Sequence, residues 1–328
     1  MYLEPPKIKD YNFTKDRPEL SVVMPGTFPE KWADIYNSII SSTTKSFELI
    51  IVTNNGVHMP LALWIMPNIK IVKDYGSPVR AHSIGASLAE GRLITWIPDD
   101  GKFSPYGLDM ALDKFNEMAE NKKNILTYKF TENEKAYTDE YYKINFHKDA
   151  KVEDEGIGSK YIPDDYYILN HCIMYREYYE ELGGFDCSYE GTAMAYIDFS
   201  IRAQYDGAQV QLLKGMPILI CTQFESEDSK HSHIHDAQKL HDEPYYDSIY
   251  KQPNWAENIQ VKLKQAEEWK KAPIAWPRKY SPHMRIDGAA YAPLLRGSRL
   301  PDRGDPEISD LQKYSDLESY QQRKSLTP

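Results

Sequence analysis

The stretch LITWIPDDGKF, residues 93 to 103, closes an apolar run with a proline, two adjacent carboxylates and a glycine. Neighbouring like charges call for a counter-charge. A carboxylate pair at a strand end can hold a divalent cation, which in turn neutralises a diphosphate. The plainer reading of Asp99-Asp100-Gly101 is a solvated turn, since Asp-Gly is turn chemistry. The doublet recurs at Asp164-Asp165, where a turn is all the sequence indicates. Two more polar clusters follow apolar runs, Pro25-Gly26-Thr27 and Thr53-Asn54-Asn55-Gly56. The amides of Asn54 and Asn55 both donate and accept hydrogen bonds, which suits a nucleobase edge.

Further along, SKHSHIHDAQKLHDEP carries His231, His233, His235 and His241. On a strand the first three share a face, and on a helix His231 and His235 do. Imidazole ligates manganese-like and zinc ions. A solvated histidine-rich loop is the alternative, and a zinc site would need Asp228 or Asp236 as well. The chain has 25 tyrosines, several in adjacent pairs such as Tyr141-Tyr142, Tyr166-Tyr167 and Tyr178-Tyr179. A flat ring with a hydroxyl suits a sugar face, and equally a half-wet surface.

These residues need elements to position them. LSVVMP (20–25), FELIIVTNNG (47–56), IKIV (69–72), LITWI (93–97) and NILTYKF (124–130) read as short buried strands stopped by turn residues. EKWADIYNSIISS (30–42) has apolar residues near helical spacing. SPVRAHSIGASLAEGR (77–92) opens on Ser-Pro, which fits an N-cap and first helical position, and ends on glycine. SPYGLDMALDKFNEMAE (104–120) carries the same opening signal. Strands alternating with helices across short connections predict right-handed βαβ units, hence an α/β fold with a mainly parallel, Rossmann-like sheet flanked by helices. Ligands of such sheets bind beyond the carboxyl ends of the strands, where the three polar clusters fall. From about 131 to 170 the alternation fails. Helical patterning resumes at 174–184 and 193–207, AQVQLL and PILIC read as late strands, and 253–271 as a terminal helix.

In this order SVVMPGT, ELIIVTNNG, RAHSIGASLAEGRLITWIPDDG, LGGFDCSYEG and IDFSIRAQYDG, spanning roughly residues 20 to 220, resemble the family 2 glycosyltransferases with the GT-A fold. The resemblance implies a lead-in (1–19), a GT-A domain (20–250) with a nucleotide-binding half (20–130) and an acceptor half (131–250), and a C-terminal helix with an extended tail (251–328). It places Pro25 and Thr27 in the nucleotide pocket. Asn54 and Asn55 stand where the family usually has an Asp pair for the base. Arg80 and His82 match the stretch near the diphosphate and sugar. The metal-binding Asp-x-Asp falls on Pro98-Asp99-Asp100, with Asp100 meeting a Mn2+ or Mg2+ ion and Asp99 taking the ribose or a water-mediated contact. His231, with His233 next, stands where several members complete the metal site.

The family's acceptor-side acids meet Ala195 and Tyr196 here, leaving Asp198 and the nearby Glu190 as competing candidates for the general base of an inverting transfer. An i,i+4 ion pair with Arg202 is the alternative role for Asp198. The implied activity is metal-dependent transfer of a sugar from a nucleoside-diphosphate sugar to a hydroxyl on a glycan, a lipid-linked sugar or a hydroxylated base. A nucleotidyltransferase and a non-catalytic carbohydrate-binding or assembly protein are the competing classes. PGTFPEK is not a glycine-rich phosphate loop, which weighs against the first; Pro98, Ala195 and Tyr196 favour the second.

Composition bounds these readings. A formal net charge of −10 disfavours nucleic acid and anionic membranes as partners. No apolar run has the length of a membrane span, and MYLEPPKIKDYNF lacks the apolar stretch of a signal peptide. Three cysteines without metal-type spacing read as reduced thiols of a cytoplasmic protein. The net-basic tail offers a surface for an anionic partner or for homo-oligomer contact.

Overall fold

The computed structural model describes residues 17–26, 28–53, 63, 66–74, 77–133, 135–136, 139–142, 166–186, 188–222, 238–252, 254–271 and 291–292 of the 328-residue chain. Its first half alternates as the sequence predicts. Strand β1 (Leu20–Gly26) leads through a short 3-10 turn to helix α1 (Trp32–Ser42), then β2 (Phe47–Thr53) and β3 (Ile69–Asp74). Helix α2 (Pro78–Ser87) leads to β4 (Leu93–Trp96), β5 (Gly101–Phe103), α3 (Gly107–Asn116) and β6 (Asn124–Tyr128). Next come β7 (Phe130–Glu132), β8 (Lys135–Ala136), β9 (Cys172–Tyr175), α4 (Arg176–Glu181), α5 (Thr192–Tyr205), β10 (Gln209–Leu213) and β11 (Leu219–Cys221). A 3-10 turn (Asp139–Tyr142), a π-helical turn (Gln238–Asp242), helices α6 (Glu243–Tyr250) and α7 (Trp255–Lys271) and the two-residue strand β12 (Tyr291–Ala292) complete the described elements.

The main sheet runs β10-β6-β9-β4-β1-β2-β3-β12. β1, β2, β3 and β4 are parallel, as are β6 and β10, while β9 lies antiparallel between β4 and β6. A smaller sheet, β5-β11-β7-β8, takes up the chain as it leaves the main one.

The period-2 alternation of the buried strands divides the core between two faces. Leu20, Val22 and Met24 of β1, with Leu49 and Ile51 of β2, pack with Trp32, Ile35 and Ile39 of α1 and Leu108, Leu112 and Phe115 of α3. Val23, Ile50 and Val52 face the other way, into a cluster holding Val79 and Ile84 of α2, Phe199 and Ile201 of α5, Ile249 of α6 and Ile259 of α7. Each such side chain removed from water contributes about 1.5–3 kcal/mol. Helix α7, part of the separate C-terminal segment in the sequence reading, thus builds the same core as the first strands.

Three expectations are corrected in detail. The helix read from Ser104 begins at Gly107, because the Ser104 hydroxyl donates to the Pro217 carbonyl (2.8 Å) instead of capping. Residues Met174 and Tyr175, read as helical, belong to β9, paired with Ile94 and Leu93 of β4. The strand read through 124–130 breaks after Tyr128, and Phe130 starts β7 of the small sheet. By contrast, the Ser-Pro signal at 77–78 does cap α2: the Ser77 Oγ accepts from the Arg80 N–H at 3.1 Å.

Candidate functional site

The chain passes from β1 to β2 on one side of β1, and β4 returns on the other, so the order of the sheet reverses at β1. At such a reversal the connections diverge and leave a crevice beyond the carboxyl ends of the two strands. Pairing of β1 with β4 ends at Val23 and Trp96, whereas its pairing with β2 continues to Gly26 and Thr53. The crevice therefore opens between the end of β1 and the turn 97–100.

Asp99 and Asp100, both half-buried, stand at its mouth. Asp99 spans it, its Oδ2 accepting the Phe28 backbone N–H at 2.9 Å. The turn is closed by Gly101 N–H on the Pro98 carbonyl at 3.0 Å, and the Asp100 carbonyl accepts from Thr222 at 3.0 Å. Gly26 gives β1 its exit: a Cβ there would lie 2.8 Å from the Trp32 ring and 3.0 Å from an Ile51 methyl. Pro25 is half-buried in the last turn of pairing with β2, beyond the reach of β4.

Beside the crevice lie β4, α2, β9, α5 and the small sheet. Gly101 faces Cys221 across β5 and β11, and Cys221 faces Glu132 of β7. Burial pushes the Cys221 thiol up, and the Asp100 and Glu132 carboxylates push it further. Tyr196 stacks on Trp96 (centroids 6.1 Å, 16° between planes) and its hydroxyl meets His82 Nε2 at 3.3 Å. Its phenol is pushed up by burial, against a hydrogen bond to Thr192, with Asp100 among the charges that raise it further.

His82, which the resemblance places near the diphosphate and sugar, is buried among aromatic rings. Its ring is boxed in by Phe185 (5.3 Å), Tyr196 (6.0 Å) and Trp96 (6.1 Å), and burial, aided by His171, lowers it to about 3. A neutral, walled-in imidazole carries no charge to a diphosphate. His171 is lowered to about 3 by burial, against a hydrogen bond to the Trp96 carbonyl. The Nδ1 atoms of both rings lack a hydrogen-bond partner among the described residues. Arg80 lies in the first turn of α2, its side chain buried.

Of the two carboxylates read as candidate bases, Asp198 is corrected. It is wholly buried and its oxygens are occupied: Oδ2 by Arg202 Nε at 2.7 Å, Oδ1 by the Tyr250 hydroxyl at 2.6 Å and by Lys262. The i,i+4 ion pair is what the structure has. Arg202 also donates to the Leu182 and Gly184 carbonyls at 2.7 Å each, tying α5 to the loop that follows α4. Glu190 stands two residues ahead of α5, 5% exposed, its backbone N–H on Asp242 Oδ1 at 2.9 Å. Its loop begins at Asp186, whose carboxyl burial would raise but Lys262, at 2.8 Å, and the Ser188 N–H hold below its usual range.

Thr27, Asn54, Asn55, His231 and His233 lie outside the described residues, as do Cys187 and Asp164-Asp165. Among the described residues no three His, Cys, Asp or Glu side chains converge on a metal position. Two carboxylates, Asp99 and Asp100, stand at the crevice itself, and carboxylate oxygen is the ligand type that hard cations take. Glu132, Cys221 and Trp96 escaped the sequence reading because they join the crevice through the small sheet and through stacking, neither of which has a local signature.

The fold is an open α/β sheet with a crevice at its switch point, where sheets of this kind take their ligands. No family model matches the sequence, and no curated protein matches it. Among solved structures the chain is similar to S. aureus TarS residues 1–349 in complex with UDP, at 16% identity and TM-score 0.46 over 78% of this chain and 79% of that one. It is similar to the same fragment in complex with UDP-GlcNAc at 14% identity and TM-score 0.47, over 78% and 80%. Against a further S. aureus TarS structure the values are 13% and 0.47, over 76% of this chain and 43% of that one. No described helix is long and apolar enough to cross a membrane.

Proposed function

We propose that this chain is a metal-dependent, inverting glycosyltransferase of the cytoplasm that moves a sugar from a nucleoside-diphosphate sugar to a hydroxyl acceptor. The observation that carries the reading is the placement of Asp99-Asp100 at the switch-point crevice, with Asp99 bonded across it to Phe28. In this reading the nucleoside lies along the end of β1, past Pro25 and Gly26, and Asp99 orients the ribose side. Asp100 would hold a Mn2+ or Mg2+ ion, carboxylate oxygen being the donor such a cation takes. When bound, the cation neutralises the diphosphate and stabilises it as it leaves. Arg80, at the amino end of α2, adds positive charge on that side. Glu190 takes the proton from the acceptor hydroxyl as the oxygen attacks the anomeric carbon, and the diphosphate departs from the opposite face. The stacked Trp96 and Tyr196 wall the site and exclude water.

Thermal melting against UDP, GDP, CDP, ADP and dTDP, each with manganese, magnesium or chelator, tests this. One nucleotide at roughly 100 times its dissociation constant raises stability by about 2.7 kcal/mol, and the rise disappears with chelator and in Asp100→Ala. Release of that nucleoside diphosphate from its sugar conjugate then establishes transfer. No nucleotide-dependent rise would leave a non-catalytic binding protein as the better account, which Ala195, buried, and Tyr196, half-buried, standing where the resemblance places acids, also favour.

A further inference from the structure

The loop 186–191, which delivers Glu190, is fastened at both ends by residues of the C-terminal helices. At its far end Asp242, wholly buried, accepts two successive backbone N–H groups, Glu190 on Oδ1 at 2.9 Å and Gly191 on Oδ2 at 2.7 Å. His241 Nδ1 sits 2.8 Å from the same Oδ1. At the near end Asp186 Oδ2 receives the Tyr245 hydroxyl at 3.0 Å and Lys262 Nζ at 2.8 Å. The Lys262 ammonium, 5.0 Å from the Tyr189 ring centroid and 5.2 Å from that of Tyr245, closes the loop between them.

We infer that Asp242 is a positioning residue: its carboxylate clips the Glu190–Gly191 backbone and sets the attitude of Glu190 toward the acceptor. The inference rests on the function proposed above. The physical argument is geometric. One planar carboxylate spanning two consecutive amides fixes the peptide between them, and hence the direction in which the Glu190 side chain leaves the backbone. A buried ion held in this way is a weak source of stability compared with apolar packing of the same volume. Its use here is to define one loop conformation. The clip comes from the residue directly before α6, 52 positions downstream of Glu190.

Asp242→Asn keeps the volume but replaces an acceptor by an amide that opposes one of the two N–H groups. In the full chain the expected result has three parts. Amide exchange over 186–191 accelerates while that of β1 and β4 does not. Melting with the nucleotide selected above shifts as in the wild type. The kcat for nucleoside diphosphate release from the sugar conjugate falls about ten- to a hundredfold with the donor KM unchanged, the cost of a displacement near 1 Å. Tyr245→Phe, which removes only the hydroxyl on Asp186, produces a smaller change of the same kind and guards against a variant that does not fold. If wild-type protein turns over no donor, the proposed function falls and the clip as a positioning device falls with it. If the wild type is active and both variants match it in loop exchange and kcat, only the positioning inference is overturned.

Discussion

His82 and His171 are two buried imidazoles, both against Tyr196, and their cost is carried as acid sensitivity. Each is lowered from 6.5 to about 3, chiefly by burial. The unfolded chain therefore binds protons below pH 6.5 that the folded chain refuses, so their contribution is complete above pH 6.5 and is lost as pH falls. Between pH 6.5 and 5 the loss is about 1.5 kcal/mol per histidine, in a window where ordinary carboxylates remain ionised. Melting temperature measured across that window falls in the wild type and falls less in His171→Leu; an equal slope in both would refute the assignment. The sequence singled out His82, and it does lie at the site, but as part of its wall. Spacing alone cannot distinguish an imidazole facing a ligand from one enclosed by Phe185, Tyr196 and Trp96, because those contacts join four separate elements. Asp198 was legible in part, since its partner Arg202 is one helical turn away.

Among the elements, α3 begins in a way its sequence disguises. Tyr106, directly before the helix, adopts a left-handed backbone with φ 58° and exposes its ring. A bulky L-residue in that region costs roughly 1–2 kcal/mol, and asparagine tolerates it better. Because the ring is exposed, little packing is lost on replacement. Tyr106→Asn is expected to stabilise the protein by about 1 kcal/mol in urea unfolding, and a destabilised variant would show that the ring is held by contacts worth more than the strain. The Ser-Pro signal at 104–105 suggested an earlier start for the same local reasons that worked at 77–78. What differs is a tertiary partner, the Pro217 carbonyl, which takes the Ser104 hydroxyl. Strand β9 was hidden likewise: four residues whose pairing with β4 and β6 is long-range have no period to read. The strands and helices from β1 to β4 were legible because alternation, turn residues and caps are all local there.

At the scale of the molecule, the C-terminal helices are welded to the sheet half through charge as well as apolar packing. Lys262 of α7 is nearly buried and contacts Asp186 and Asp198, carboxylates 76 and 64 residues away in sequence, beyond any pattern a sequence could reveal. Arg202 balances Asp198 from its other side. Three of these four charges belong to α5 and its preceding loop, so removing the fourth strands negative charge in the core. Lys262→Met should then cost about 3–5 kcal/mol, the usual consequence of breaking a buried pair from one side. Asp186→Asn added to it should recover at least about 1 kcal/mol, because an amide no longer needs the missing ammonium. Urea unfolding followed by tryptophan fluorescence and by far-ultraviolet circular dichroism tests both the coupling and its reach. If the two halves form one cooperative unit, the two signals coincide in the wild type and move together in Lys262→Met. A variant in which amide protection of α6 and α7 is lost while that of β1 and β4 holds would mean that the helices dock on an independently stable sheet. In that case Asp242 and Lys262 would form a detachable brace, and the Glu190 loop could be released without unfolding the sheet around β1 and β4.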